Sequence, residues 1–213
     1  MPVEIKEVVI SVNPGDSIPS IAHDYGHFWE TLWNLGANAE LKAKRKNPNI
    51  LAPGDEVTVP PIRVKEYTGA TDTRHSFVRK GIPAKLKIQL FLLGEPRRNE
   101  RYTLILDDKT IQGTTDADGN IEHFIKPNSK GGKLILNGGK EEYPVNVGHL
   151  NPIDLTSGAK QRLNNLGYDC GDDSEEETDQ YKQALMQFQA DHKLPQSGEL
   201  DGATRAKLES VHS

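Results

Sequence analysis

Hydrophobic and polar positions change their spacing twice along the chain. In the first sixty residues, the alternating run EVVISV (7–12) gives way to stretches whose apolar residues return every three or four positions, before the alternating EVTV (56–59). Alternation reads as strand and the wider spacing as helix. The predicted order is strand, helix, helix, strand, with the first helix opening within NPGDSIPSIA and the second running from about Trp29 to Lys46. Asp16 or Ser17 is placed to accept the free amides of the first helical turn. Pro60-Pro61 then ends the ladder, because proline has no amide to donate.

From about residue 62 to 150 the period shortens. AKLKIQLFLL, RYTLILDD, KTIQGTTD, NIEHFIK, GKLILNGG and EYPVNVG are separated by Gly, Asp, Asn and Pro. This is the signature of an antiparallel β-sandwich. GTTDADGNIEHFI reads as a hairpin about a turn holding Gly119. Its Asp116-x-Asp118-Gly119-Asn120 spacing is that of a turn, since it lacks the full ligand series and distal glutamate of a calcium loop.

After Asn151-Pro152 the helical spacing returns. LTSGAKQRLNNLGYDCG predicts a helix ending at Gly167, and TDQYKQALMQFQADHKL a second, with Thr178 as N-cap and Ala184, Leu185, Phe188 and His192 on one face. PQSGELDGATRAKLESV predicts a turn and a third short helix capped by Asp201. Phe188, Leu194, Leu200 and Leu208 are core candidates. The expected fold class is multidomain α+β: a small βααβ module at 1–61, a central antiparallel β-sandwich at 62–150, and a C-terminal three-helix bundle at 151–213.

Composition narrows the function. The chain has 213 residues, 35% hydrophobic and 27% charged, with a formal net charge of −5. That charge argues against a nucleic-acid partner held by phosphate attraction, and no run approaches a membrane span. The beginning, MPVEIKEVVISV, carries Glu4 and Glu7 where a signal peptide would be basic, so cytoplasmic synthesis is expected. A single cysteine, Cys170, leaves no internal disulfide framework. The acidic run DCGDDSEEETD (169–179) reads as a solvated loop rather than a metal site.

Two segments carry resemblances. VNPGDSIPSIAHDYG paired with NPNILAPGDEVTVP resembles the LysM domain, a βααβ module that binds N-acetylglucosamine polymers such as peptidoglycan and chitin. The resemblance implies a shallow groove between two loops, with Gly15, Asp16, Ser17 and Ile18 on one and Asn49, Ile50 and Leu51 on the other. The helical pattern from LNNLGY to the last helix resembles the three-helix peptidoglycan-binding domain of many cell-wall hydrolases, and implies Tyr168 and Gln189 as contacts to glycan or peptide. The middle segment resembles Ig-like or transthyretin-like sandwiches used as spacers or docking modules.

Beside these modules the candidate catalytic groups do not complete a constellation. His23 and His27 have the i, i+4 spacing of a helical zinc pair, but Asp24 replaces the glutamate and Gly26 weakens the helix. Glu95, Glu100, Asp107 and Asp108 lie in turn-like surroundings unsuited to a paired-carboxylate glycosidase. No G-x-S-x-G or phosphate-cradling glycine loop occurs, and the acids beside Cys170 would raise its pKa. The expectation is a non-catalytic peptidoglycan-binding protein without metal or cofactor. Its module order resembles accessory proteins of type VI secretion and other contractile injection systems, which implies a spike or effector partner and export to the wall. A protein-docking adaptor without glycan binding, its charges meeting a partner through KAKRK and the acidic run, and a wall hydrolase or its regulator are the alternatives.

Overall fold

A computed structural model describes residues 7–62, 68–76 and 84–212. It mixes helices with antiparallel sheets, an α+β fold. The chain divides into two compact units: residues 1–49 with 54–148, and residues 50–53 with 149–213. The segments expected as modules 1–61 and 62–150 thus fall largely within one unit.

The first unit begins with strand β1 (Val8–Ser11), paired antiparallel to β2 (Glu56–Val59). Between them lie helices α1 (Ile18–Asp24), α2 (Trp29–Trp33) and α3 (Ala39–Arg45). Ser17, rather than Asp16, caps α1 through a capping box: its hydroxyl accepts from the Ser20 amide at 3.2 Å, and its own amide donates to Ser20 Oγ at 2.8 Å.

The single helix expected from Trp29 to Lys46 is broken. Leu35 is extended (φ −66°, ψ 132°) and a short 3-10 turn, Gly36–Asn38, precedes α3. The break places Asn38 where its buried side chain donates to the carbonyls of Leu32 (2.9 Å) and Thr58 (2.8 Å) and accepts from the Thr58 amide (2.8 Å). One amide group therefore joins α2 to the strand. Arg45 makes a two-pronged pair with Asp55 at 2.7 and 2.9 Å, tying α3 to the start of β2.

The rest of this unit is β3 (Ala84–Gln89), β4 (Phe91–Leu92), β5 (Glu95–Pro96), β6 (Arg101–Leu106), β7 (Lys109–Thr114), β8 (Asn120–Ile125), β9 (Gly131–Leu136) and β10 (Glu141–Asn146). The order β10-β9-β6-β7 forms a four-stranded sheet, and β3-β8 a two-stranded one. Tyr102, Leu104, Leu106, Leu134 and Leu136 of the larger sheet share one core with Leu86, Ile88, Ile121 and Ile125 of the smaller. Full burial of each such side chain contributes about 1.5–3 kcal/mol relative to exposure.

The hairpin expected around Gly119 is instead a crossover. β7 pairs with β6, β8 pairs with β3, and the turn carries the chain from one sheet to the other. Asp116 holds this turn by accepting from the Asp118 amide (2.9 Å) and the Asn120 amide (2.8 Å). Gly119 has φ +77°, and a Cβ there would stand 2.6 Å from the Leu90 carbonyl oxygen, so glycine is needed on both counts.

The second unit contains α4 (Thr156–Asn165), α5 (Asp179–Asp191) and α6 (Gly202–Val211). Thr178 and Asp201 occupy the N-cap positions, accepting from the Tyr181 amide (3.2 Å) and the Thr204 amide (2.7 Å). Ala159, Leu163, Cys170, Tyr181, Ala184, Leu185, Phe188 and Leu208 form its core. Arg162, buried at 4% exposure, donates to the carbonyls of Asn151 (2.8 Å) and Gly158 (2.6 Å), fastening the entry segment to α4.

Candidate functional site

In the first unit the candidate groove residues differ in what they can offer a ligand. The Ile18 amide donates to the Pro48 carbonyl at 2.9 Å, so the 13–18 loop lies beside the bend at 47–49. Ile18 is fully buried and Ser17 is 8% exposed with its hydroxyl committed to the cap. Gly15 and Asp16 are half-buried and Asn49 is exposed, its amide donating to Asn47 Oδ1 at 2.9 Å. Ile50 and Leu51 group with the second unit; Ile50 is partly exposed, whereas Leu51 is 4% exposed.

A contact from the sheets reaches this loop. Lys130 Nζ lies 2.8 Å from Asp16 Oδ1 and 3.3 Å from the Gly15 carbonyl oxygen. Asn128 Nδ2 donates to Asp24 Oδ1 at 2.9 Å. The chain at Gly148 passes so close that a Cβ there would stand 2.8 Å from the Gly15 oxygen. Burial alone would raise the Asp16 pKa, but the bonds from Lys130 and Asn13 outweigh it and hold the carboxyl below its ordinary value. Lys130 and Asn128 lie more than a hundred residues from their partners, so no local pattern in the sequence points to them.

In the second unit, Tyr168 and Gln189 take opposite roles. Tyr168 is half-exposed, its hydroxyl donates to Asp191 Oδ2 at 3.0 Å, and its ring meets Phe188 edge-to-face at 5.4 Å. Burial, with the Asp191 bond and charge added, pushes its phenol up to about 12. The phenol is therefore a neutral hydrogen-bonding group at ordinary pH, beside the exposed Asp191 and the half-buried His192. Burial, followed by the Lys207 charge, lowers the His192 pKa.

Gln189 is fully buried. Its Nε2 shares two hydrogens among Ser197 Oγ (3.1 Å), the Glu199 carbonyl (3.0 Å) and Thr204 Oγ1 (3.0 Å), and its Oε1 accepts from the Gly198 amide (3.0 Å). Every polar atom of that side chain is thus spent inside the domain.

The acidic run is more than a solvated loop. Residues 171–177 are exposed, yet Glu175 accepts from the Thr156 amide at 2.9 Å and from the Ser157 hydroxyl, capping α4 from outside. Asp172 lies 3.4 Å from Nζ of Lys160, a lysine with no exposed surface. Cys170 is 1% exposed, and burial pushes its thiol up to about 12.

His27 lies beyond the end of α1, its Nε2 2.8 Å from the Pro60 carbonyl oxygen, while His23 is on α1 with Nδ1 3.3 Å from Asp24. Glu100 is gripped by Arg97 at 2.5 and 2.6 Å, and Glu95 lies exposed on β5. Asp107 accepts from Ser129 Oγ at 2.8 Å. Among the described residues, no three His, Cys, Asp or Glu side chains come together in a metal-binding group.

Residues 156–208 match the family described as "Putative peptidoglycan binding domain". The matched stretch spans α4, the acidic loop, α5 and most of α6, including Tyr168 and Gln189. No curated protein and no solved structure matches the chain.

Proposed function

We propose that this chain is a non-catalytic peptidoglycan-binding protein whose N-terminal LysM-like part and C-terminal domain engage the same wall polymer. The observation that carries the reading is the family match at 156–208, over a segment with a complete helical core. In the N-terminal part, an N-acetylglucosamine oligomer lies along Gly15, Asp16 and Asn49, with Tyr168 as a second contact in the C-terminal domain. Two weak sites on one chain gain by effective concentration when one polymer reaches both. The non-catalytic part of the reading is supported by Glu100 held by Arg97, Asp107 held by Ser129, and a Cys170 thiol that stays protonated at neutral pH.

The module order resembles accessory proteins of contractile injection systems, so the proposed setting is a protein made in the cytoplasm and carried to the wall with a spike or effector. A second reading has its own support: Lys130 occupying Gly15 and Asp16 is a protein contact on the loop assigned to glycan. On that reading the N-terminal part docks protein, and only the C-terminal domain binds wall.

Sedimentation of the full chain with purified peptidoglycan sacculi tests the proposal. Pelleting is expected, without loss of sacculus turbidity. Protein left in the supernatant sinks the wall-binding reading, and clearing of the suspension sinks the non-catalytic one. Asn49→Trp is expected to weaken binding of an N-acetylglucosamine tetramer; unchanged affinity favours the docking reading. Failure to co-purify with any tail or spike component removes the secretion setting.

A further inference from the structure

We propose that one end of the two-sheet core in the first unit binds a short peptide terminus: a free carboxylate preceded by small apolar side chains. The source of such a peptide is taken to be the stem peptides of peptidoglycan, and in that respect alone the inference rests on the function proposed above. The site is a cavity of about 240 Å³ between the β6–β7 turn of the larger sheet and the end of β8 in the smaller. It is smaller than the roughly 300–1,000 Å³ pockets that enclose drug-sized ligands, so it suits a terminal group rather than a length of chain.

The floor is apolar. Leu106 is 4% exposed, and the partly buried Ile111 and Ile125 pack against the same core. Phe124 lines the cavity and is 69% exposed, a burial loss that the fold itself does not require. The ring is nevertheless positioned, because Lys85 Nζ stands 5.4 Å from its centroid and also pairs with Glu122. Methyl-sized side chains would find contact on this floor and wall without a large cavity to fill.

The rim supplies the charge. Asp107, at the β6–β7 turn with φ +50°, is spent on the frame: it accepts from Ser129 Oγ at 2.8 Å and from the Lys130 amide at 3.3 Å, which holds the 129–130 wall against the turn. Lys109, Lys126 and Asp108 also line the cavity, and among the described residues their charged groups have no hydrogen bond or ion pair. Elsewhere in this unit, Lys85 and Lys133 on the strands and Lys130 just before β9 pair with Glu122, Glu142 and Asp16, while Lys87 on β3 has no pair among the described residues. Two ammonium groups and one carboxylate without a partner among the described residues therefore border an apolar floor. The lysines suit a ligand carboxylate, Asp108 suits a peptide N–H, and a neutral saccharide would leave the cations unused.

The test is titration of the full ¹⁵N-labelled chain with N-acetyl-D-alanyl-D-alanine, its C-terminal amide, and an N-acetylglucosamine tetramer, read by amide chemical shifts. The acid is expected to move amides of 106–111 and 124–129 saturably, and to bind at least about tenfold tighter than the amide. The double substitution Lys109→Gln, Lys126→Gln is expected to remove that preference, and Phe124→Ala to weaken the acid, both with unchanged melting because these side chains are solvent-facing. Equal binding of acid and amide, no saturable shift, or shifts at these positions with the saccharide alone overturns the proposal. Sacculus pelleting by a chain that ignores the peptide defeats this site and leaves wall binding intact; peptide binding without pelleting does the reverse.

Discussion

Gln189→Leu separates an internal strut from a ligand contact. Leucine keeps most of the volume, so packing changes little. What is lost is polar: the buried Gly198 amide loses its acceptor at 3.0 Å, and the Glu199 carbonyl and Thr204 hydroxyl lose a donor at 3.0 Å each. Leaving one buried group unsatisfied costs about 1–3 kcal/mol, while the neighbours nearer the surface recover part of theirs from water. The expected loss is roughly 2–4 kcal/mol, a large share of the ~5–15 kcal/mol that holds a domain folded. For a domain of this size that lowers Tm by on the order of 10–25 °C. Far-UV circular dichroism should show the shift in the helical second unit, whereas fluorescence of Trp29 and Trp33, the chain's two tryptophans, follows the first unit and should not move. Sacculus binding measured well below the lowered Tm should match wild type. An unchanged Tm with lost sacculus binding would refute the reasoning and make Gln189 a ligand contact; an unchanged Tm with unchanged binding would refute the hydrogen-bond accounting.

Three further outcomes follow from the geometry. The Arg97 guanidinium, then the Tyr143 hydroxyl, holds the Glu141 carboxyl down at about 2, against an ordinary 4.5. A depressed carboxylate stabilises the fold above its ordinary pKa and loses that effect as pH falls through the folded value. Denaturant titrations of wild type and Arg97→Met should therefore differ at neutral pH and converge between about pH 4.5 and 2; a constant gap contradicts the assignment. Cys170 should react with a thiol reagent at pH 8 only as fast as the second unit opens, and in 6 M guanidinium at the rate of a free cysteine, because its thiol is buried and raised to about 12. Rapid labelling of the folded chain would show the thiol to be accessible. Lys130→Ala removes a half-exposed pair worth no more than about 1 kcal/mol; it should leave Tm nearly unchanged yet speed amide hydrogen exchange at residues 15–17, and exchange indistinguishable from wild type would show that the contact does not form in solution.

Local chemistry was legible where the cause was local. Thr178 and Asp201 each sit just before an apolar-periodic run and bond the amide three residues on, a pairing set by a few adjacent torsions. Gly167, with φ +91°, ends α4 as its position after the run implies. Where a distant partner decides, the pattern was silent. The break at Gly36–Asn38 follows from Asn38 bonding Thr58, twenty residues away, and the hairpin around Gly119 was split because β8 finds β3. Gln189 on α5 has the polarity of a surface residue, and only the return of the 197–199 turn and α6 reveals that its amide is consumed within the fold.

The placement of Asn38 has a consequence for the chain's behaviour in company. Among the described residues, β1 and β2 form a sheet of two strands, with a ladder edge on each side. At the middle of β2, both the Thr58 amide and its carbonyl are taken by one asparagine side chain that presents a donor and an acceptor as a neighbouring peptide group would. The side chain works as a single-residue counterfeit strand, closing the edge against another molecule's backbone. Concentrated protein carrying Asn38→Ala should then recruit foreign strands at β2, and self-association, rather than unfolding alone, becomes the route by which this part of the chain fails.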